Sequence, residues 1–162
     1  MAKSKKKKYI IRRAKPTDII HLLKMMKEFL YEVSSKYPPV NDADCMNWML
    51  SIVNAGGAWV AISEKRVIGT IGCSVDRFSW NRQVPYVYDE WYYVDPAFRK
   101  GYTISKELIE MAKTHSDKAG LPFIFSINSG KDVNVDRFVR MQGFEYMGGI
   151  AARFPEMEKK DG

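Results

Sequence analysis

Apolar residues recur along this chain with two different spacings, and the changes between them predict where strands and helices lie. Residues 9–14 are predicted as a first strand, and Thr17 is expected to cap a helix that stops before the prolines at 38 and 39. A second helix is predicted over 42–54. Two strands joined by a tight turn follow in AWVAIS and RVIGTIGCSV, where Gly69 and Gly72 indicate a bulge or a close approach of a ligand.

The middle of the chain runs from an aromatic strand into an amphipathic helix through one short loop. The strand is predicted over 84–94, after a polar connection, FSWNRQ, at 78–83. Asp95 and Pro96 end this strand because proline cannot donate to a ladder. Helical spacing then resumes, with an inward face formed by Ile104, Leu108, Met111 and Ala112.

The remaining segments complete an alternation of strands and helices. PFIFSI at 122–127 is a buried strand by its length and composition, and a short helix starts at Asp132 or Asn134. FEYMGGIAARF at 144–154 is predicted as a last strand. This order of elements predicts an α/β sandwich with mixed strand directions.

The loop between the aromatic strand and its helix has the properties of an anion site. Arg99, Lys100 and Gly101 lie directly before the helix. The first backbone N–H groups of a helix have no partner within it and point outward at the positive end of the helix dipole. With two cationic side chains beside them, these groups favour an anionic ligand, and above all one that carries phosphate.

The net charge of +7 is concentrated at one end of the chain. Lysines at 3, 5, 6, 7 and 8 supply five of the seven charges, which leaves two for the rest. A run of like charges is typical of a solvated tail. We therefore expect a basic disordered tail over 1–8, one domain over 9–154 and a charged tail over 155–162. The alternative for Lys3–Lys8 is contact with a polyanion such as RNA, DNA or an acidic protein.

The composition favours a globular, cytoplasmic protein. Hydrophobic residues make up 46% of the 162 residues, and no apolar run approaches the ~20 residues of a membrane span. Cys45 and Cys73 have the spacing of neither a metal site nor a disulfide framework, so no metal is expected. The basic start MAKSKKKK is not followed by an apolar segment, so no signal peptide is predicted.

The stretch VDPAFRKGYTISKELIE, with MQGFEY near the end, resembles the GNAT superfamily of acetyl-CoA-dependent N-acetyltransferases. The resemblance covers about 9–154 and implies an acyl-CoA N-acyltransferase fold, with a mixed twisted sheet of about six strands and helices on both faces. It also implies that loop amides bind the pyrophosphate of CoA, after an Arg-x-x-Gly-x-Gly/Ala pattern. The glycines of that pattern fall on Tyr102 and Ile104, whereas one inserted residue would set Gly101, Thr103, Ile104 and Ser105 against the glycine-rich run. The residues thus implied to bind the cofactor are Val94, Arg99, Lys100, Gly101, Tyr102, Thr103, Ile104 and Ser105.

The same resemblance implies a general base on the aromatic strand. Glu90 lies four residues before Val94, where members similar to diamine acetyltransferases carry a glutamate. Strand alternation would place Glu90 on the face of Tyr92 and Val94, and Asp89 on the other. Glu90 is therefore the expected base, which takes a proton from the acceptor ammonium, and Asp89 is the alternative.

A general acid is harder to assign, because the family's tyrosine would fall on Val139, which has no hydroxyl group. The candidates are Ser126, Asn128, Tyr146 and water. Of these, Tyr146 is taken as the catalytic candidate.

These assignments predict an enzyme that moves an acetyl group from acetyl-CoA to a primary amine. The acceptor fits a small amine, a protein amine or an aminoacyl group, and the rings of Trp80, Tyr88, Trp91 and Tyr92 suit a cation. The alternative is a catalytically weak or inactive GNAT-fold module that binds a protein or nucleic-acid partner. The altered glycine loop and the missing tyrosine favour that alternative. A homodimer is compatible with the family.

Overall fold

The structure is a computed structural model that describes residues 8–33, 37–126 and 135–147. Within these ranges, the strands and helices are β1 (Ile10–Arg13), α1 (Ile19–Val33), α2 (Asp42–Asn54), β2 (Ala58–Ser63), β3 (Arg66–Phe78), β4 (Asn81–Val94), α3 (Thr103–Ala119), β5 (Phe123–Ile124) and α4 (Val135–Met141). Short 3₁₀ turns at Pro16–Asp18, Pro96–Phe98 and Lys100–Tyr102 precede α1 and α3.

The described strands form one mixed sheet in the order β1-β2-β3-β4-β5. The first four are antiparallel to their neighbours, whereas β5 returns parallel to β4 after the crossover through α3. Helices α1 and α2 pack on one face, and α3 packs on the other. The predicted α/β fold is therefore confirmed, with five strands in the described ranges rather than about six. Most of the predicted strand at 144–154 lies outside those ranges, and residues 144–147 form no strand.

Each face of the sheet has its own apolar core. Leu22 and Met49 fill the core beneath α1 and α2, and Ile68 and Leu108 fill the one beneath α3. None of these four side chains has measurable exposed surface. Strands β2 to β4 supply both cores, which is why their sequences are apolar on both faces. Met111, which was predicted to face inward from α3, is 38% exposed because it lies at the edge of the buried stripe.

The β3–β4 hairpin is longer than predicted. FSWNRQ was expected to be a connection, but β3 continues to Phe78 and β4 starts at Asn81, which leaves a two-residue turn at Ser79 and Trp80. Residues 81–84 are all exposed. A strand that is exposed on both sides has no apolar alternation, so its sequence looks like that of a loop.

The first helix starts differently from the prediction. Thr17 lies inside a 3₁₀ turn, and the carboxylate of Asp18 accepts the Lys15 N–H at 2.7 Å instead. Arg12 donates to the same carboxylate at 2.8 and 3.0 Å. Because Asp18 is buried, this ion pair fixes the start of the helix against β1.

None of the helices in the described ranges is long and apolar enough to cross a membrane. Within the same ranges, no group of three or more His, Cys, Asp or Glu side chains is placed to bind a metal ion. Cys45 and Cys73 are free thiols, and burial raises the pKa of Cys73, so this thiol stays protonated.

Candidate active site

The loop between β4 and α3 is anchored by the residue that ends the strand. Asp95 is buried, and its carboxylate accepts the Ala97 N–H at 2.9 Å and is paired with Arg66 at the start of β3. Pro96 then opens a 3₁₀ turn. Because Asp95 binds both its own loop and the neighbouring strand, α3 begins at a fixed place beside the sheet.

The N-terminus of α3 presents backbone N–H groups that no side chain caps. Gly101 and Tyr102 have positive φ angles of 77° and 54°, and Thr103 is the first helical residue. Tyr102 makes no side-chain capping hydrogen bond, and the first turn contains no acidic residue. Glycine adopts such left-handed angles without strain, whereas tyrosine does not. Gly101 and Tyr102, at which the glycine pattern begins with and without an insertion, therefore both have a left-handed backbone.

Apart from Arg99, the residues implied to bind the cofactor fall into two groups around this helix start. The exposed group consists of Lys100, Gly101, Tyr102 and Thr103, and the buried group of Val94, Ile104 and Ser105. Ser105 is hydrogen-bonded to Tyr92, whose ring centroid lies 5.5 Å from that of Phe125. Burial raises the pKa of Tyr92 to about 12, so its hydroxyl stays protonated. The exposed group can contact an anion, and the buried group positions the helix.

Arg99 is directed towards α1. Its Nε donates to the Val94 carbonyl at 2.7 Å, and its guanidinium pairs with Glu32 of α1 at 2.8 Å. The guanidinium also lies over the ring of Tyr93, 5.1 Å from the centroid, and the Tyr93 hydroxyl donates to Glu32 at 2.6 Å. The charge of Arg99 is therefore already paired, and Lys100 is the exposed cation of the loop.

A β-bulge sets the direction of Glu90. The register between β3 and β4 shifts between Gly72 and Cys73, which leaves Glu90 without a partner in the ladder. Its Oε1 accepts the Tyr88 hydroxyl at 2.6 Å and also accepts the hydroxyl of Ser74 on β3. Two neutral donors thus hold a half-buried carboxylate in one orientation.

The predicted face of Glu90 was wrong. Tyr92 and Val94 pack into the core beneath α3, and Val87 lies in that core as well. Tyr88 therefore points to the opposite face, and Glu90 contacts Tyr88. The alternation failed because the bulge inserts one residue, which reverses the faces of the strand beyond it.

Asp89 lies where β4 and β5 separate. In the described ranges the two strands pair at two positions, the last being Tyr88 with Ile124. We call the opening beyond that pair the strand gap. There the Ser126 N–H donates to the Asp89 carboxylate at 2.6 Å, and the Ser126 hydroxyl donates to the same oxygen at 3.0 Å. Burial raises the pKa of Asp89 to about 6, although the two hydrogen bonds from Ser126 favour its ionised form.

Comparison with known families identifies this arrangement. The model of the acetyltransferase (GNAT) family matches residues 24–144, a range that runs from α1 past the end of α4. The chain belongs to the GNAT family. The predicted acetyl-CoA-dependent N-acetyltransferase is thereby confirmed as the class of enzyme, with acetyl-CoA as its cofactor. No curated protein matches the sequence.

Solved structures share this GNAT fold at low sequence identity. A predicted acetyltransferase from Clostridium acetobutylicum, bound to acetyl-CoA, has a TM-score of 0.71 at 14% identity and covers 90% of this chain and 96% of its own. AAC(6')-Iy, in complex with the bisubstrate analogue CoA-S-monomethyl-acetylneamine, has a TM-score of 0.68 at 19% identity, with coverage of 92% and 99%. An agmatine N-acetyltransferase has a TM-score of 0.68 at 15% identity, with coverage of 85% and 82%.

The candidates for the acid of this GNAT protein lie in different surroundings. Ser126 is at the strand gap, bonded to Asp89. Tyr146 is 38% exposed. It follows Phe144, whose ring packs against the ring of one phenylalanine in β5 and of another just after it. Asn128 lies outside the described residues. The structure thus joins Ser126 to another predicted site residue, which it does not do for Tyr146 in the ranges it describes.

Two side chains that contact predicted site residues could not be found from the sequence. Ser74 donates to Glu90, and Glu32 pairs with Arg99. Each lies far along the chain from its partner, and neither belongs to a motif. Only the strand register would have placed Ser74 opposite Tyr88, and only the packing of α1 brings in Glu32.

Proposed function

We propose that this GNAT protein acetylates the primary amino group of a small cationic amine, with Glu90 as general base. The observation that carries the proposal is the Glu90 carboxylate, which two hydroxyl donors hold beside the strand gap. The similar structures include an aminoglycoside N-acetyltransferase and an agmatine N-acetyltransferase, whose named substrates are amines. A small amine is therefore the acceptor class that these relatives favour.

The residues around α3 fit the cofactor. Acetyl-CoA supplies the acetyl group as an activated thioester. The uncapped N–H groups at Thr103, the exposed ammonium of Lys100 and the absence of acidic residues in the first turn of α3 suit a pyrophosphate. The family resemblance also implies that the pantetheine arm of CoA enters where the fourth and fifth strands separate, and we place it at the strand gap. We propose that Arg99 holds the loop against α1, because its guanidinium forms an ion pair with Glu32 of α1.

Glu90 performs the first proton transfer. A primary amine with a pKa of about 10 is an ammonium ion near neutral pH, and its nitrogen has no free electron pair until a proton leaves. Both hydroxyl donors bind Oε1 of Glu90, which leaves Oε2 to accept that proton. The freed electron pair of the nitrogen then attacks the acetyl carbonyl carbon.

The second proton transfer is assigned to Ser126 in preference to Tyr146. When the C–S bond breaks, the departing sulfur takes a proton from the Ser126 hydroxyl at the strand gap, and the proton that the acetylated nitrogen loses restores that hydroxyl. Asp89 orients that hydroxyl through the bond at 3.0 Å. Tyr146 stays the alternative proton donor. The kinetics of Tyr146→Phe distinguish the two assignments, because this variant lacks the hydroxyl group that would donate the proton.

We further propose that residues 9–154 are the catalytic unit and that residues 1–8 and 155–162 are tails. The polyanion contact of Lys3–Lys8 and the homodimer stay predictions. Deletion of residues 1–8 tests both proposals about the N-terminus, because acetyl transfer should persist while any binding to a polyanion weakens.

A kinetic comparison tests the role of Glu90. Glu90→Gln keeps the shape of the side chain but cannot take a proton, so kcat should fall about 10²- to 10⁴-fold. The affinity for acetyl-CoA, measured by calorimetry, should stay unchanged. Glu110→Gln, on the exposed face of α3, is the matched control. Agmatine, an aminoglycoside and a lysine peptide serve as acceptors.

Two results would contradict the proposal. Equal rates for Glu90→Gln and the unaltered protein at every pH would remove Glu90 from the mechanism. A lack of acetyl-CoA binding would instead favour the module that binds a protein or nucleic-acid partner.

A further inference from the structure

Four aromatic rings lie in a row on the β3–β4 hairpin, on the same face as Glu90. Ring centroids are 4.9 Å apart for Phe78 and Trp80, 4.4 Å for Phe78 and Tyr86, and 5.9 Å for Tyr86 and Tyr88. The Tyr88 hydroxyl then donates to Glu90. We call Phe78, Trp80, Tyr86 and Tyr88 the ring row. It runs from the tip of the hairpin to the proposed general base.

The ring row is open to solvent. Trp80 is 83% exposed, whereas the other three tryptophans of the chain are buried or half-buried. Phe78, Tyr86 and Tyr88 are each half-buried. A contiguous exposed aromatic surface of this kind is typical of a binding site.

Two carboxylates lie along the ring row. Asp76 pairs with Tyr86 across the strands and Ser74 pairs with Tyr88, so Asp76 stands on the same face as the rings. Asp76 is exposed, and Ser74 contacts Glu90. Because Ser74 and Asp76 are two residues apart on one strand, their Cα atoms lie about 7 Å apart, and Ser74 makes the contact to Glu90.

Asp76 and Glu90 bring two carboxylates to this surface. Asp76 accepts the neighbouring Arg77 N–H at 2.7 Å and has no cationic side-chain partner among the described contacts. The guanidinium of Arg77 donates to the Arg82 carbonyl at 2.9 Å, and strand alternation directs this side chain to the other face. Negative ring faces and two carboxylates therefore attract a cation.

We propose that the ring row is the acceptor subsite and that it binds a linear aliphatic diamine or polyamine. This inference rests on the proposed function and names its acceptor. One amino group would lie at Glu90, and the second would pair with Asp76. A span of about 7 Å corresponds to an extended chain of roughly four or five carbon atoms. The methylene groups would cross Tyr86 and Tyr88, and a longer polyamine would reach Trp80.

Matched acceptors test the subsite. We expect kcat/KM for 1,4-diaminobutane and 1,5-diaminopentane to exceed that for butylamine and pentylamine roughly tenfold, since one ion pair and one cation–π contact are gained. Asp76→Asn should raise KM for the diamines to that of the monoamines and leave kcat unchanged. Trp80→Ala should raise KM for spermidine more than for the diamines. Glu110→Gln, which removes the same charge from α3, should change none of these values.

Binding of the diamines is measured separately, by calorimetry in the presence of CoA. Binding that Asp76→Asn weakens, without any acetyl transfer, would support the subsite and overturn the proposed function. Acetyl transfer to diamines and monoamines at equal kcat/KM, or equal effects of Asp76→Asn and Glu110→Gln, would overturn the subsite and leave the transferase standing. A protein that neither binds nor acetylates any of these amines would overturn both.

Discussion

Asp89→Asn removes a buried ionisable group and keeps its hydrogen-bond acceptor. The asparagine Oδ1 can still accept the Ser126 N–H and hydroxyl, which lie 2.6 and 3.0 Å from the carboxylate. The two proteins therefore differ chiefly in whether residue 89 can ionise. We expect the unaltered protein to lose stability relative to Asp89→Asn as the pH rises from 4 to 7.

The direction follows from the raised pKa. Burial raises the pKa of Asp89 from its ordinary 3.8 to about 6 in the folded protein, whereas the unfolded chain titrates near 3.8. Between these values the folded state binds more protons than the unfolded state. The free energy of unfolding therefore falls with rising pH. The full contribution of the protonated carboxyl is present below pH 3.8 and is lost above about pH 6.

The size of the effect follows from the same two pKa values. A change from 3.8 to about 6 corresponds to roughly 3 kcal/mol. About 2.4 kcal/mol of that loss falls between pH 4 and pH 7, since part of the titration of the unfolded chain lies below pH 4. Solvent screening reduces the value little, because Asp89 is only 7% exposed.

Urea unfolding at pH 4, 5, 6 and 7, followed by tryptophan fluorescence, measures the difference. Subtracting the Asp89→Asn curve from that of the unaltered protein cancels the groups that titrate in both. Glu110→Gln removes a carboxylate that is 65% exposed and should leave the pH profile unchanged. Parallel profiles for the unaltered protein and Asp89→Asn would show that Asp89 ionises in the fold as it does in water.

Further predictions concern the glycines and the cations near α3. Gly69→Ala should cost about 1–3 kcal/mol in urea unfolding, because the new Cβ would lie 3.1–3.3 Å from three packed side chains. Gly101→Ala should cost about 1 kcal/mol from the backbone alone, since φ is +77° and the nearest heavy atom is 3.8 Å away. Arg99→Gln should lower stability by about 0.5–1 kcal/mol by releasing Glu32, and should weaken CoA binding several-fold in calorimetry. Lys100→Gln should weaken CoA binding without changing the unfolding curve, because its side chain is exposed.

Elements with local sequence signals could be predicted closely. Helix α2 and strand β2 have the predicted bounds, because each begins and ends at a change of apolar spacing. The turn at Glu64 and Lys65 has two positive φ angles, 48° and 65°, as a two-residue hairpin turn requires. Gly120 ends α3 in the left-handed conformation that favours glycine.

Contacts between distant residues could not be predicted. The Glu32–Arg99 pair depends on how α1 packs against the end of β4, and no local pattern describes that packing. The bond between Ser126 and Asp89 depends on where the parallel strands separate. The sequence therefore indicated Asp89 and Ser126 as candidate site residues, but only the fold shows the hydrogen bonds between them.

The bulge at Glu90 has a local cause in the packing of Trp91 against Gly72. Gly72 has no Cβ, and the Trp91 ring occupies the space that a Cβ would take, since the two would lie only 2.3 Å apart. Trp91 is fixed there by its hydrogen bond to Thr70 at 3.1 Å and by the ring of Trp48 at 5.2 Å. With Trp91 held over Gly72, the register shifts at the next residue and Glu90 is left unpaired.

Asp89 and Glu90 lie on opposite sides of one segment of β4, and the proposed function gives each carboxylate a separate task. Asp89 faces Ser126 at the strand gap, where the proposed function puts the thioester. Glu90 faces the ring row, where it puts the amine. An unbroken strand would also have separated these two neighbours and kept Glu90 on the face of Tyr88, but it would have placed Tyr92 on that same face. The bulge between Gly72 and Trp91 thus lets Tyr92 pack beneath α3 while Glu90 stays on the face of the ring row.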